Sequence, residues 1–417
     1  MNKIERLVYD VVKSNPWLKN SVRNVYQMVF DFMPKKKDFF SEKVDVQKGY
    51  FFGFHDLSPF SDDESKVLAN KPKVFLTMPK PDESLEIGYF NFEDGEMHAY
   101  VSCAVSKAWN HHKGCRLQWL SAEEIVFNNA FSGKLGSTVF NIKTKESEDL
   151  SFPIDTVHRQ KRIATSFSYE RLEELMPGYG YPYADDSYLD ENASTNTGLF
   201  LIDLENNSSK LLVSLRELVD EIGNSELLEY RHYVTHSEFS YDGRYISFLH
   251  RWVGDDVMKR WSRLVIYDLE SGLFFALPTS GMVSHYVWNS KNQIVAYCSV
   301  NGQDGHVLFD VPTTNSPKQI ATTKLNSDGH QSFITDELFI TDTYPDKYRT
   351  AKIYKVNATT EAVELLASVY SPKKYQSKLP YKHIACDLHP RVSPSGKYVC
   401  FDTVFPGTRS IAVMKIK

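Results

Sequence analysis

Residues 236–248, HSEFSYDGRYISF, read as a strand, a tight turn carrying Ser, Asp and Gly, and a second strand. The pattern returns at HYVWNSKNQIVAY (285–297), HQSFITDELFIT (330–341) and HPRVSPSGKYVCF (389–401), and each copy begins with a histidine three residues ahead of an apolar residue. RLQWLSAEEIVF (116–127) is a weaker copy with Arg116 in the histidine's place, and in HDLSPFSDDESKVLA (55–69) the histidine stands two residues earlier. The seventh unit falls in 151–207, with KRIATSF (161–167) as its second strand and GLFLIDLENN (198–207) as its third. Third strands followed by turns recur elsewhere, as in LEIGYFNFEDGE (85–96), RLVIYDLESG (263–272) and AKIYKVNATTE (351–361). Seven units of roughly 40 to 60 residues fit four-stranded blades, and radial closure hides the edges that separate hairpins would expose. The sequence therefore predicts an all-β, seven-bladed β-propeller over 41–417 behind an N-terminal helical extension over 1–40.

RSIAVMKIK (409–417) supplies only a third strand for the last blade, so SEKVDVQKG (41–49) is expected to supply the fourth and latch the ring. The stretch 168–196 is an aromatic and acidic insertion, long enough for an irregular lid or rim. A second insertion, 213–230, holds a short helix, SLRELVDEIGN. Ahead of the repeats, Ile4, Leu7, Val8, Val11 and Val12, then Leu18, Val22, Val25, Tyr26, Val29 and Met33, recur at helical spacing, broken at Asn15-Pro16. This helical pair ends in Pro34-Lys35-Lys36-Lys37, and with Trp17, Phe30 and Phe32 it suits either packing on the propeller's outside or peripheral contact with an anionic membrane through residues 3–37.

The formal charge of -5 gives no broad basic field, so nucleic acid is not an expected partner. Five cysteines, an odd number with no CxxC pair, read as reduced thiols of a cytoplasmic protein. The first twenty residues lack an apolar signal core, and no apolar stretch is long enough to cross a bilayer.

In a propeller the first strand of each blade lines the central channel, so His236, His285, His330 and His389, with Arg116, are expected to gather at one mouth. Imidazoles drawn from separate blades can hold a divalent metal such as Mn, Fe, Ni or Zn without any local zinc motif, and Asp387 and Asp56 are the nearest oxygen donors. The alternative is that these rings fill the channel, hydrogen-bonded to carbonyls and water. Arg116 is the arginine that register singles out to hold a carboxylate by a two-pronged hydrogen bond. His55 follows Gly53, which lets the backbone bend, and precedes Asp56, which is placed to orient its imidazole. His111, His112 and His158 fall outside the register and read as rim or turn residues. No nucleophile elbow, P-loop or dinucleotide fingerprint is present.

These blade motifs resemble the oligogalacturonate lyase family, seven-bladed propellers that cleave uronate-containing sugars by β-elimination with a bound divalent metal. HSEFSYDG resembles the segment bearing the family's proton-abstracting histidine, which implies His236 as base. SHYVW resembles a metal-ligand segment, pointing to His285, and CDLHPRVSPSG resembles the last ligand cluster, pointing to His389. Asp387 stands where the family has a first histidine of that cluster, and Ile384 where it has a glutamine, so the departure implies either a changed ligand set that draws on His330 or His383 or a site with different chemistry. With Arg116 neutralising a carboxylate, the implied activity is elimination from an acidic oligosaccharide or polysaccharide, with a manganese-like ion as cofactor. Two other readings stand beside it: an enzyme of cell-surface polysaccharide synthesis at the inner membrane, such as a transferase, and a non-catalytic propeller that binds a sugar or a protein.

Overall fold

The computed structural model describes residues 37–81, 83–313, 317–380 and 382–416. Seven antiparallel sheets follow one another along the chain as the blades of a propeller. The helical pair expected over residues 3–33 lies outside the described residues, and no described helix is long and apolar enough to cross a membrane.

Blade 4 shows how the sequence builds one unit. Its strands are Arg231–Phe239, Tyr245–Val253, Arg260–Asp268 and Phe274–Ala276. Tyr245–Val253 is buried along nearly its whole length, because both of its faces pack against material of the ring. The turn before it is fixed by its own side chains. Ser240 Oγ donates to Asp242 (2.6 Å), the Gly243 N–H donates to the Ser240 carbonyl (2.9 Å), and Gly243 takes the left-handed φ of +65° that the turn needs.

The ring closes through apolar cores that alternate with the blades. Leu264 and Ile266 of blade 4 pack with Ile294 and Val307 of blade 5. Val295 and Ile320 of blade 5 meet Phe339 and Val356 of blade 6, and Ile340 and Ile353 of blade 6 meet Val399 and Phe401 of blade 7. Ile411 and Val413 of blade 7 pack with Leu68 and Ile87 of blade 1, so the last junction joins the two ends of the repeat. Val44–Lys48 pairs with Ser410–Lys415, placing Val46 opposite Ala412, and this is the latch expected from 41–49. The strand Phe39–Phe40 just before it lies along Val363–Tyr370 as a fifth strand of blade 6, so the segment straps two blades.

The insertions are ordered. Helix α1, Tyr169–Leu175, is capped by Ser168, its Tyr169 is buried, and Tyr179, Tyr181 and Tyr183 in the irregular stretch after it are buried too, so the first half of 168–196 packs into the molecule and its Met176, Pro177 and Tyr179 line the rim of the funnel. Its aromatic content explains this, since each buried ring removes a large apolar area from water. Helix α2, Leu215–Ile222, begins with a Ser214–Glu217 capping box and ends at Gly223, as the sequence predicts.

Candidate active site

The inner strands deliver their leading residues to one end of the channel. His236 sits where the ladder of blade 4 is interrupted between Thr235 and Glu238, and it takes a φ of +54°. Arg116 (+57°) and His389 (+45°) turn the same way ahead of the first strands of blades 2 and 7. Such backbone costs a non-glycine residue about 1 kcal/mol or more. Three of these turns at one register show that the aim of the side chain overrides backbone preference there.

The predicted imidazoles meet around Phe54. The rings of His236 and His389 lie 4.8 and 4.9 Å from that of Phe54, His285 is 4.0 Å from His330, and His330 is 4.2 Å from His389. His55 joins them, 5.1 Å from His330 and 5.5 Å from His285. Each ring is oriented through Nδ1: His55 by the Gln331 carbonyl (3.1 Å), His236 by the Thr235 hydroxyl (2.8 Å), His285 by Asp328 (3.3 Å), His330 by Asp342 (2.8 Å) and His389 by the Gly53 carbonyl (2.7 Å). Nε2 is then the nitrogen left for a ligand or a proton. Burial, reinforced by nearby cations and by the other imidazoles, holds His55, His236, His330 and His389 well below the usual histidine range, which keeps these rings neutral.

Asp387 approaches from the segment preceding His389. Burial, and then the charge of Asp342, pushes its carboxyl up to about 7. His112 Nδ1 lies 3.7 Å from Asp387, and among the described residues one trio, His112, Asp387 and His389, brings its donor atoms within 4.8 Å of one another. The Nε2 atoms of His112 and His389 are buried without a hydrogen-bond partner. Two bare imidazole nitrogens beside a destabilised carboxylate fit a divalent cation. Of the four residues expected as ligands, Asp387 and His389 stand in this trio, while His330 and His285 continue it as adjoining rings.

Of the two readings for His111 and His112, rim or turn, the turn holds and the rim does not. They are 2% and 1% exposed, because Asn110 Oδ1 accepts the N–H groups of His112 and Lys113 and folds the loop inward, with Gly114 closing it at a φ of +59°. Asp56 does not orient His55 either, since both of its oxygens accept from Arg116 at 2.8 Å. Arg116 thus grips a carboxylate with two prongs, but it is the protein's own. Fully buried, it also pairs with Asp155, which stands ahead of the first strand of blade 3 and takes Lys113 as a second cation. This buried charge network, the floor of the site, reaches the imidazole cluster through Lys113, whose Nζ lies 5.7 Å from the Phe54 ring.

Above them opens a funnel of about 1910 Å³ whose lining includes His236, His285, His383, Asp387, Tyr179 and Arg251. Arg251 is 5% exposed, and its guanidinium donates to the Met176 sulfur (3.2 Å) and to the carbonyls of Val283 (3.1 Å) and Ser284 (3.3 Å). Its Nε is buried and unpartnered, and no carboxylate among the described residues pairs with it. A buried cation without a counter-ion is costly, and one that faces a funnel is a place for an anion.

Comparisons with known proteins locate the fold. No protein-family model matches the chain, and no curated protein does. An oligogalacturonate lyase from Vibrio parahaemolyticus superposes on it with a TM-score of 0.59 at 13% identity, covering 92% of this chain and 98% of that one. The two share the seven-bladed propeller fold. A second oligogalacturonate lyase, solved in complex with manganese, gives a TM-score of 0.45 at 11% identity over 92% of this chain and 99% of that one. The tricorn protease gives 0.47 at 10% identity, over 92% of this chain and 34% of its own.

Proposed function

We propose that this protein is a metal-dependent carbohydrate-active enzyme that cleaves a uronate-containing oligosaccharide by β-elimination at the funnel mouth. The observation that carries the reading is the meeting of neutral, Nδ1-anchored imidazoles with Asp387 in a funnel that also holds an arginine lacking a carboxylate partner. Elimination requires removal of the weakly acidic C5 proton beside the sugar carboxylate, which in turn requires a base and positive charge on that carboxylate. His236 opens onto the funnel with Nδ1 engaged, which suits Nε2 to take the proton. Arg251 supplies a guanidinium fork for the carboxylate, the task first assigned to Arg116, whose fork is filled by Asp56.

His112, Asp387 and His389 would hold the cation, and His285 and His330 can complete its coordination. A manganese-like ion there would supply Lewis-acid charge beside the substrate carboxylate. His55, tied to Gln331, keeps the imidazole stack in order. The five unpaired cysteines fit a cytoplasmic location. Purified protein supplied with manganese should turn a member of a broad oligouronide panel into an ultraviolet-absorbing unsaturated product, and both His236→Ala and chelation should abolish it. Absence of any absorbance change across the panel overturns the proposal.

A further inference from the structure

Elimination has a second demand besides the base: the departing O4 must be protonated, because a sugar alkoxide is a poor leaving group. One phenol in the funnel is placed to meet it. Tyr179 lines the funnel with its ring 6.0 Å from that of His236, stacked 5.0 Å from His112 and 5.0 Å from His383. It therefore stands between the proposed base and the residues that would hold the cation. Its hydroxyl has no hydrogen-bond partner among the described residues, whereas the buried Tyr169, Tyr181 and Tyr183 of the same segment all donate to backbone carbonyls. A largely buried phenol that leaves its donor unused while its neighbours use theirs is available to a ligand.

The loop that carries Tyr179 is rigid. Glu173 accepts the backbone N–H groups of Gly178 (2.9 Å) and Gly180 (3.1 Å), one on each side of the tyrosine. Asn110 donates to the Gly180 carbonyl (3.1 Å), and a Cβ on Gly180 would lie 2.1 Å from the Tyr169 carbonyl oxygen, so only glycine allows this approach. Such anchoring of both flanks holds a group where small displacements matter.

We infer that Tyr179 is the general acid of the reaction, its Oη donating the proton to O4 as the bond from C4 to O4 breaks. The inference rests on the elimination reading above. His236 gains the C5 proton, the C5 electron pair forms the double bond to C4, the C4–O4 pair leaves with oxygen, and Tyr179 Oη gives that oxygen a proton. Transfer of the proton from His236 to the phenolate through solvent restores both groups, so the net change is movement of one proton from C5 to O4.

The test compares two forms of whichever uronide of the panel the wild-type protein turns over: the natural disaccharide, and an analogue bearing dinitrophenoxide at C4, which departs without a proton. Tyr179→Phe keeps the ring and should lower turnover of the disaccharide by about 100-fold or more. It should leave release of dinitrophenolate within a few-fold of wild type, and it should still exchange the C5 hydrogen with deuterated water. Equal losses on both substrates, or none on either, overturn the assignment, as does a selective loss in Tyr344→Phe, the phenol beside His330, with Tyr179→Phe unaffected. If wild-type protein eliminates neither leaving group, the lyase reading itself fails and the role of Tyr179 falls with it.

Discussion

Removing Asp155 should be among the most destabilising single changes in the molecule. The carboxylate accepts from Lys113 Nζ (2.9 Å), the Ser237 N–H (2.9 Å) and hydroxyl (2.8 Å), and Tyr169 Oη (3.2 Å), it forms an ion pair with Arg116 (3.0 Å), whose Nε donates to the Asp155 carbonyl, and it is fully buried. Burial alone would pull its carboxyl up, but Arg116 and Lys113 outweigh that and hold it at about 2. That displacement from the ordinary value is worth about 2 kcal/mol. The greater loss comes from stranding Lys113, whose Nζ has no exposure, lies 5.7 and 5.5 Å from the Phe54 and Phe167 rings, and has Asp155 as its hydrogen-bonded carboxylate. Breaking a buried pair from one side costs about 3–5 kcal/mol, a large part of the stability of a typical protein. Asp155→Ala should therefore lose that much in urea unfolding followed by the fluorescence of the buried Trp109 and Trp119. The double variant Asp155→Ala, Lys113→Met should recover part of it, because the orphaned charge is gone. Lys143→Ala, which breaks an exposed pair with Glu123, should leave the midpoint where it was. A loss under about 1 kcal/mol for Asp155→Ala, or a double variant no better than the single, refutes the assignment of the floor as a structural charge network.

Further measurements address other parts of the molecule. Asp387→Ala and His389→Ala should each lower the manganese retained per chain after gel filtration at least tenfold, with the circular dichroism spectrum unchanged; full retention in both removes the trio from consideration. Gln47→Pro, which removes the backbone N–H on the side of the latch facing Ile411, two residues before the Gly49 N–H that donates to the Arg409 carbonyl (2.9 Å), should lower the melting temperature by several degrees, and an unchanged value would show that the strap is dispensable. Burial holds His232 down at about 4, against 6.5 for a free imidazole. The unfolded chain then binds the proton first as pH falls below about 6.5, so the fold loses stability between pH 6.5 and 4, by about 2 kcal/mol at pH 5. His232→Asn should show a correspondingly flatter dependence of the urea midpoint on pH, and equal slopes in variant and wild type would contradict the sign.

Much of the architecture is legible in the chain because a blade repeats a local rule. A strand of β-branched and aromatic residues, a tight turn bearing Ser, Asp or Gly and a second strand need only neighbours in sequence to be recognised, as at 236–248 and 389–401. The channel histidines are legible for the same reason, since register converts spacing along the strand into position on the axis. What escapes are relations between segments that share no register. His112 reaches the site from a tight loop between blades 1 and 2, and Tyr179 from an insertion that no repeat measures. Arg116 and Arg251 carry the same side chain, yet Asp56 and Asp155 neutralise the first, and the second meets carbonyls, a thioether and the Tyr233 hydroxyl, with no carboxylate paired to it among the described residues. Which of two arginines is free is a property of the assembled ring.

The strap over Phe39–Lys48 also bears on how the molecule is made. Its partner strand, Ser410–Lys415, lies roughly 360 residues downstream, and at about 5–20 residues per second a ribosome needs roughly 20 to 70 s to produce it. Through that interval Val44 and Val46 have no edge to join, and the nascent protein carries an unpaired strand at one end and an open blade still to come. Factors that shield such edges during synthesis, or a slower growth temperature, should therefore govern the yield of correctly closed rings more strongly than they govern the stability of the finished one.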